Sequence, residues 1–164
     1  MHYSTIQAIF SELTFRNAVW LFPVAFLLHV FEEWPHFTAW ARRYASNLFT
    51  QQDYEMIHIA GIIGAFVLAA LVSRFPNRLI VFLFFAFAPG LFCNTLFHIG
   101  GTVLTRTYCP GVITATIIYL PVFFFVSHCA MSENLLDAKS VTTALLVAGA
   151  FHFWEVGHNV FKAW

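Results

Sequence analysis

Leu79-Ile80-Val81-Phe82-Leu83-Phe84-Phe85-Ala86-Phe87-Ala88-Pro89-Gly90-Leu91-Phe92-Cys93-Asn94-Thr95-Leu96-Phe97-His98 is a run of 20 residues without one Asp, Glu, Lys or Arg. A hydrocarbon layer of about 30 Å takes about 20 helical residues to cross. Backbone polar groups in lipid must pair within their own segment, so the run reads as a transmembrane helix. Four further apolar runs, Asn17–Trp34, Met56–Val72, Val112–Met131 and Val141–Phe161, qualify or nearly do. The expected architecture is all-α: a polytopic membrane helical bundle of about five transmembrane helices, forming one domain over residues 1–164.

Composition agrees. Hydrophobic residues make up 60% of the 164 and charged ones only 10%, against about 25% charged in a soluble domain. Net charge is zero with neutral histidines, so no basic patch exists for nucleic acid. Cys93, Cys109 and Cys129 have neither CxxC spacing nor an even number, and no disulfide is expected. Met1–Phe15 lacks a basic n-region, so the run after it is expected to remain as the first span. That tail (Ile6, Ile9, Phe10 and Leu13 on one stripe) and Phe37–Phe49 both read as interfacial amphipathic helices. Pro23, Pro89 and Pro121 fall inside spans and are expected to kink them. Trp34, Trp40, Trp154 and Trp164 read as interfacial belt residues.

Five crossings put the ends of helices one, three and five on the same side as the starts of two and four. His29, Glu32, Glu33 and His36 close the first; His58 opens the second. Asn94 and His98 close the third, Tyr108-Cys109-Pro110-Gly111 leads into the fourth, and His152, Glu155 and His158 close the fifth. His128 falls towards the other side. Lys and Arg divide four against four between the two sides, so orientation does not follow.

Ionisable groups at membrane depth are costly and mark functional sites. Mixed His/Glu sets are what a transition metal needs. His29 and Glu33, at i and i+4, share a helix face; Pro35 disfavours helix at Trp34 and turns His36 aside. Glu33-x-x-His36 and Glu155-x-x-His158 together match, in part, the ligand device of carboxylate-bridged di-metal bundles. The expected metal set is His29, Glu32, Glu33, His98, His152, Glu155, His58 and His158, holding one or two ions of Fe, Zn or Mn. Glu32 is expected as bridging ligand or general base, Asn94 as a group orienting His98 or substrate, and Tyr108 as a proton donor.

The elements His29-Val30-Phe31-Glu32-Glu33, His98 and Tyr108-Cys109-Pro110-Gly111 occur in the order found in the HXXEE family of small integral membrane proteins, which this chain resembles. The resemblance implies His29, Glu32, Glu33, His98, Tyr108, Pro110 and Gly111 as the core set and brings no assigned reaction. A fainter likeness to the CaaX-protease membrane family lies in its Glu-Glu pair and histidines. That family has Arg four residues after its pair, where Phe37 stands here.

The reading expected from the residues is an integral membrane metalloenzyme acting on a lipidic or isoprenoid small molecule by oxidative or hydrolytic chemistry. Its partners would be membrane lipid and that substrate, in a plasma or inner membrane, and a homo-oligomer is compatible. Alternatives left open are a metal or proton transporter or sensor, a metal-free Glu/His intramembrane hydrolase, and a haem-binding subunit.

Overall fold

A computed structural model describes residues 14–88 and 90–162. The expected amphipathic N-terminal tail, His2, Pro89 and Trp164 lie outside the described residues. Among those described, every regular element is helical. In chain order they are α1 (Phe15–Ala18), α2 (Leu21–Glu33), α3 (Phe37–Tyr44), α4 (Gln51–Arg74), α5 (Arg78–Phe87), α6 (Gly90–Thr105), α7 (Val112–Thr114), a π-helical segment (Ala115–Tyr119), α8 (Leu120–Ser132) and α9 (Ala138–Asn159).

Four helical stretches are long and apolar enough to cross a membrane: Phe15–Glu33, Gln51–Arg74, Arg78–Thr105 and Val112–Ser132. The fifth expected span forms as α9, but His152, Glu155 and His158 near its end place it outside that set. Outward-facing Leu28, Phe31, Ile63, Leu79, Leu104 and Ile117 are exposed on the bundle surface, as a lipid-facing chain requires.

The helix starts have clear local causes. Thr50 and Asp53 form a reciprocal capping box at α4, while the Asn77 and Asp137 side chains cap α5 and α9. Pro23 sits in the first turn of α2, where its missing N–H breaks no helical bond, and the turn at Val19–Trp20 precedes it. At Pro121 the expected kink takes the form of the π segment just before it. The Thr95 hydroxyl, fully buried in α6, donates to the Ala115 carbonyl of that segment at 3.0 Å.

Two ties fix the sidedness. Lys162 after α9 pairs with Asp53 at the start of α4, at 3.3 Å. At the other end the Phe15 amide donates to Glu133 beyond α8. The apolar core divides accordingly. One cluster, around Phe22, Phe84, Phe85 and Val126, fills the middle and the Phe15 end. A smaller one, with Phe37, Trp40, Phe49 and Tyr54, sits over the opposite end. The segment read as an interfacial helix is α3, and it roofs this second cluster, with Arg42 and Arg43 exposed. Trp40 is therefore not a belt residue: it is 8% exposed and packs on Phe37 and Phe97, because α3 folds inward over the bundle.

Candidate metal centre

The last turn of α2 faces its two carboxylates in different directions. Adjacent residues on a helix point about 100° apart, and here Glu32 and Glu33 take different partners.

Glu33 points inward and is 2% exposed. Its Oε1 lies 3.2 Å from Nε2 of His98 on α6 and 3.4 Å from Nε2 of His29, one turn back on α2. Its Oε2 lies 2.9 Å from Nε2 of His58 on α4 and accepts from the Tyr54 hydroxyl at 3.3 Å. Ring contacts hold the imidazoles: His29 against His98 and Tyr119, His58 stacked on Tyr54, and His98 against Phe37 and Phe97.

The far nitrogen of each imidazole determines what the near one offers. His58 Nδ1 lies 2.7 Å from the Tyr54 carbonyl, which can only accept, so Nδ1 carries a hydrogen. His29 Nδ1 lies 2.8 Å from the Thr114 hydroxyl, and that hydroxyl donates its single hydrogen to Glu32 at 2.5 Å. His29 Nδ1 is thus also a donor. Neutral His29 therefore turns its Nε2 lone pair towards Glu33, whereas His58, 2.9 Å from Oε2, bonds that carboxylate when its Nε2 also carries a hydrogen. His98 Nδ1 lies 3.3 Å from the buried Cys109 thiol, which leaves its Nε2 aimed at Glu33 as well. His29 Nε2 and His98 Nε2 are buried without a hydrogen-bond partner among the described residues. Lone pairs facing a carboxylate are repulsive unless a proton or a cation lies between them.

Glu32 turns the other way and caps the fourth span. That span starts at Gly111, which has no side chain to cap its own helix. Glu32 accepts from the backbone N–H groups of Gly111 (3.1 Å), Ile113 (3.1 Å) and Thr114 (2.7 Å), and from the hydroxyls of Thr114 and Tyr108. A carboxylate at a helix N-terminus is favourable on hydrogen-bonding and dipole grounds alike. Glu32 thus reaches the centre only through Thr114 and His29, and its oxygens are taken up by donors. This corrects its expected place as a bridging ligand. Tyr108, expected as a proton donor, spends its hydroxyl on Glu32. Its phenol is pushed up to about 12, by burial and then by the carboxylate it donates to. Burial, then the charges of Glu33 and Glu32, likewise push the Cys109 thiol up to about 12.

Gly111 has φ +99°, a left-handed conformation that side chains rarely adopt. A Cβ there would lie 2.6 Å from His29 Cε1, 2.7 Å from His98 Cε1 and 2.9 Å from Glu33 Cγ. The glycine is the wall against which the three groups pack.

The remaining expected residues sit further out. His152 Nδ1 lies 3.8 Å from Glu155 Oε2, and both line a cavity of about 560 Å³ that Glu33, His58, Asn94 and Tyr119 also line. Asn94 makes no hydrogen bond to His98; its Oδ1 is buried and unpartnered among the described residues, and Cys109 meets His98 instead. His158 is exposed and stacks on Trp154. His36 is exposed and precedes α3 with φ −136°, outside the helix that holds Glu33. The two Glu-x-x-His pairs therefore do not face each other. His128 is exposed.

Among the described residues, one group of three has ligand atoms close enough for a single ion: His29, Glu33 and His98, all buried and within 4.8 Å of one another. Tyr54, Thr114 and Tyr119 complete the surroundings, and sequence reasoning did not single them out. Tyr54 precedes His58 by one helical turn and Thr114 follows Gly111 by three residues, which are faint signals at best.

The chain matches the family described as "Protein of unknown function with HXXEE motif" over residues 20–126, well over half its length, and belongs to that family. No curated protein and no solved structure matches it.

Proposed function

We propose that this protein is an integral membrane metalloenzyme with one transition-metal ion held by His29, Glu33 and His98, acting on a lipidic substrate seated in the adjoining cavity. One observation carries the reading. Two imidazole Nε2 atoms without hydrogen-bond partners lie 3.2 and 3.4 Å from one buried carboxylate oxygen. Tetrahedral ligands bound at about 2.0–2.1 Å are about 3.3 Å apart. Each histidine nitrogen is therefore spaced from the Glu33 oxygen as two ligands of one ion are, and a cation among the three would offset the repulsion between electron-rich atoms.

The surroundings support the same reading. Thr114 and Glu32 fix the tautomer of His29 from outside, and Cys109 meets the outer nitrogen of His98, as outer partners do in metal sites. His58 and Tyr54 hold the second oxygen of Glu33. A set of two histidines and one glutamate leaves coordination positions open, the pattern of metal-hydrolytic zinc sites and of non-haem iron oxygenases. Bound there, the ion would supply Lewis acidity or redox capacity to a group presented from the cavity. His58, on the cavity wall and bonded to Glu33, is placed to hold or release a proton beside that group.

The test is metal content per chain, by elemental analysis of untagged protein purified in mild detergent without chelator. One equivalent of zinc or iron is expected, lost in both Glu33→Ala and His98→Ala and kept in His128→Ala. Zinc directs the chemistry to hydrolysis and iron to oxidation. Folded wild-type protein that holds no metal after reconstitution, or variants that retain it in full, would sink the proposal.

A further inference from the structure

The cavity beside the centre is apolar over most of its wall, and one end of it is not. Besides Glu33 and His58, the polar groups lining it are Asn94 on α6, Tyr119 at the end of the π segment, and His152 and Glu155 on α9. Three atoms in that set are buried without a partner among the described residues: Asn94 Oδ1, the Tyr119 hydroxyl and His152 Nε2. Tyr119 as a whole is 1% exposed. A buried polar atom without a partner costs stability, and several around one cavity need an external explanation. A ligand that donates and accepts hydrogen bonds there supplies it.

Charge limits what that ligand can be. The wall includes two carboxylates, Glu33 and Glu155, and no Lys or Arg. Two carboxylates already neutralise one divalent ion. An anionic head would add an uncompensated charge in a low-dielectric space, and a cationic head would compete with the metal for the same balance. Size limits it further. At about 30 Å³ per water-sized group, about 560 Å³ holds on the order of 20 such groups, which is one chain with a small head. The mouth is fixed by the exposed wall residues Val67 on α4, Phe87 on α5 and Phe151 on α9. α9 packs on α5 and α6, and α4 packs on α2 and α5, so the opening lies between α4 and α9 and faces the lipid.

We infer that the cavity selects a single-chain amphiphile with an uncharged hydroxyl head, which enters sideways from the bilayer and is held among Asn94, Tyr119 and His152. This rests on the cavity being the substrate site proposed above, and it names the class of substrate. The Tyr119 hydroxyl donates to the head oxygen, Asn94 Oδ1 accepts its hydrogen, and His152 closes the polar end.

The test is photo-crosslinking in vesicles with a long-chain alcohol carrying a mid-chain diazirine, competed by unlabelled chains of equal length. The expected result is saturable labelling of α4 and α9. The alcohol should compete about tenfold better than the corresponding carboxylate, phosphate or amine. Tyr119→Phe, which keeps the ring, and Asn94→Leu should each weaken competition by the alcohol about fivefold. Tyr119→Phe should also leave thermal stability unchanged or raised, because it removes an unpartnered hydroxyl; a residue needed only for packing would not separate the two readouts. Equal competition by the carboxylate, or by the amine in protein holding the metal, wild-type competition in both variants, or absence of saturable labelling would each overturn the inference. Running the assay on protein stripped by chelator separates it from the metal reading. In stripped protein Glu33 and Glu155 lose the ion that balances them, so the amine should then compete as well as the alcohol; a preference for the alcohol over the carboxylate and phosphate in a chain that never holds metal would sink the earlier proposal and leave the hydroxyl-head pocket standing.

Discussion

Replacing Gly111 by alanine tests whether the centre is assembled as described. The substitution adds one carbon and removes nothing. The amide of residue 111 still donates to Glu32, and no ligand is changed. The new Cβ would stand 2.6 Å from His29 Cε1 and 2.7 Å from His98 Cε1. Carbons in ordinary contact are about 3.5–4.0 Å apart, so the two rings must retreat by close to 1 Å, or the loop must move as far. Holding a non-glycine residue at left-handed φ costs about 1–2 kcal/mol, and overfilling a packed site costs about 1–3 kcal/mol. The sum, about 2–5 kcal/mol, should appear as a clear drop in thermal stability. Metal sites tolerate ligand shifts of about 0.2 Å, so metal content should fall even at temperatures where the variant is folded. Gly100→Ala on α6, where a Cβ meets nothing within 4 Å, is the matched control. Glycine costs about 0.8–1.0 kcal/mol relative to alanine in a helix interior, so this control should be slightly stabilised with unchanged metal content. A Gly111→Ala protein with wild-type stability and full metal content would refute the packing of His29, His98 and Glu33 on that glycine.

Two further outcomes separate the roles of the neighbouring groups. Glu32→Gln should destabilise the protein by about 1.5–3 kcal/mol, the range for hydrogen bonds to a charged group, and lower metal affinity about 10- to 100-fold through Thr114 and His29; elimination of metal binding on a par with Glu33→Ala would make Glu32 a ligand after all. Tyr108, raised to about 12 from a reference of 10.0, keeps its proton in the folded chain where the unfolded chain loses it. Its contribution to stability is therefore whole below pH 10 and disappears as pH rises towards 12, so stability should fall across that window in the wild type and less steeply in Tyr108→Phe, as followed by denaturant unfolding with phenolate absorbance alongside.

Much of this was legible in the sequence, for reasons that are physical. Apolar runs of bilayer length name the spans, and the parity of crossings sends the ends of α2 and α6 and the start of α4 to one face. That alone brings His29, Glu33, His58 and His98 together from positions up to 69 residues apart (98 − 29). Boundaries drift where helices leave the apolar zone: α4 begins at Gln51, ahead of Met56, because the Thr50–Asp53 box caps it in the polar region. What could not be read is rotation. Whether Glu32 or Glu33 faces inward depends on how α2 is turned against α4 and α7, and neighbouring residues look equally suited. The Glu-x-x-His pattern misled for a related reason: spacing implies a shared face only inside one unbroken helix, and His36 lies past the turn at Pro35. The contribution of Tyr119 was hidden too, since an apolar run containing a tyrosine gives no sign of a π turn.

That π turn has a consequence for how the protein tolerates change in length. Residues five apart on an α-helix, such as Thr114 and Tyr119, point about 140° away from each other, because five steps of 100° exceed one full revolution by that amount. A π turn closes at i→i+5, which brings such a pair nearly one above the other. Here Thr114 meets His29 at Nδ1 and Tyr119 meets the same ring 4.5 Å away between centroids. The segment behaves as an α-helix carrying one residue too many, with the surplus taken up so that both neighbours meet a single histidine. Deleting Ile117 would restore ordinary winding and leave every apolar stretch long enough to span, and Thr114 and Tyr119, then four residues apart, would lie about 40° from each other and still share the face that meets His29. The π turn absorbs the surplus residue and so keeps the outer support of His29 and the polar end of the cavity in phase; the segment should tolerate loss of one residue, whereas a further added residue would push the two groups apart.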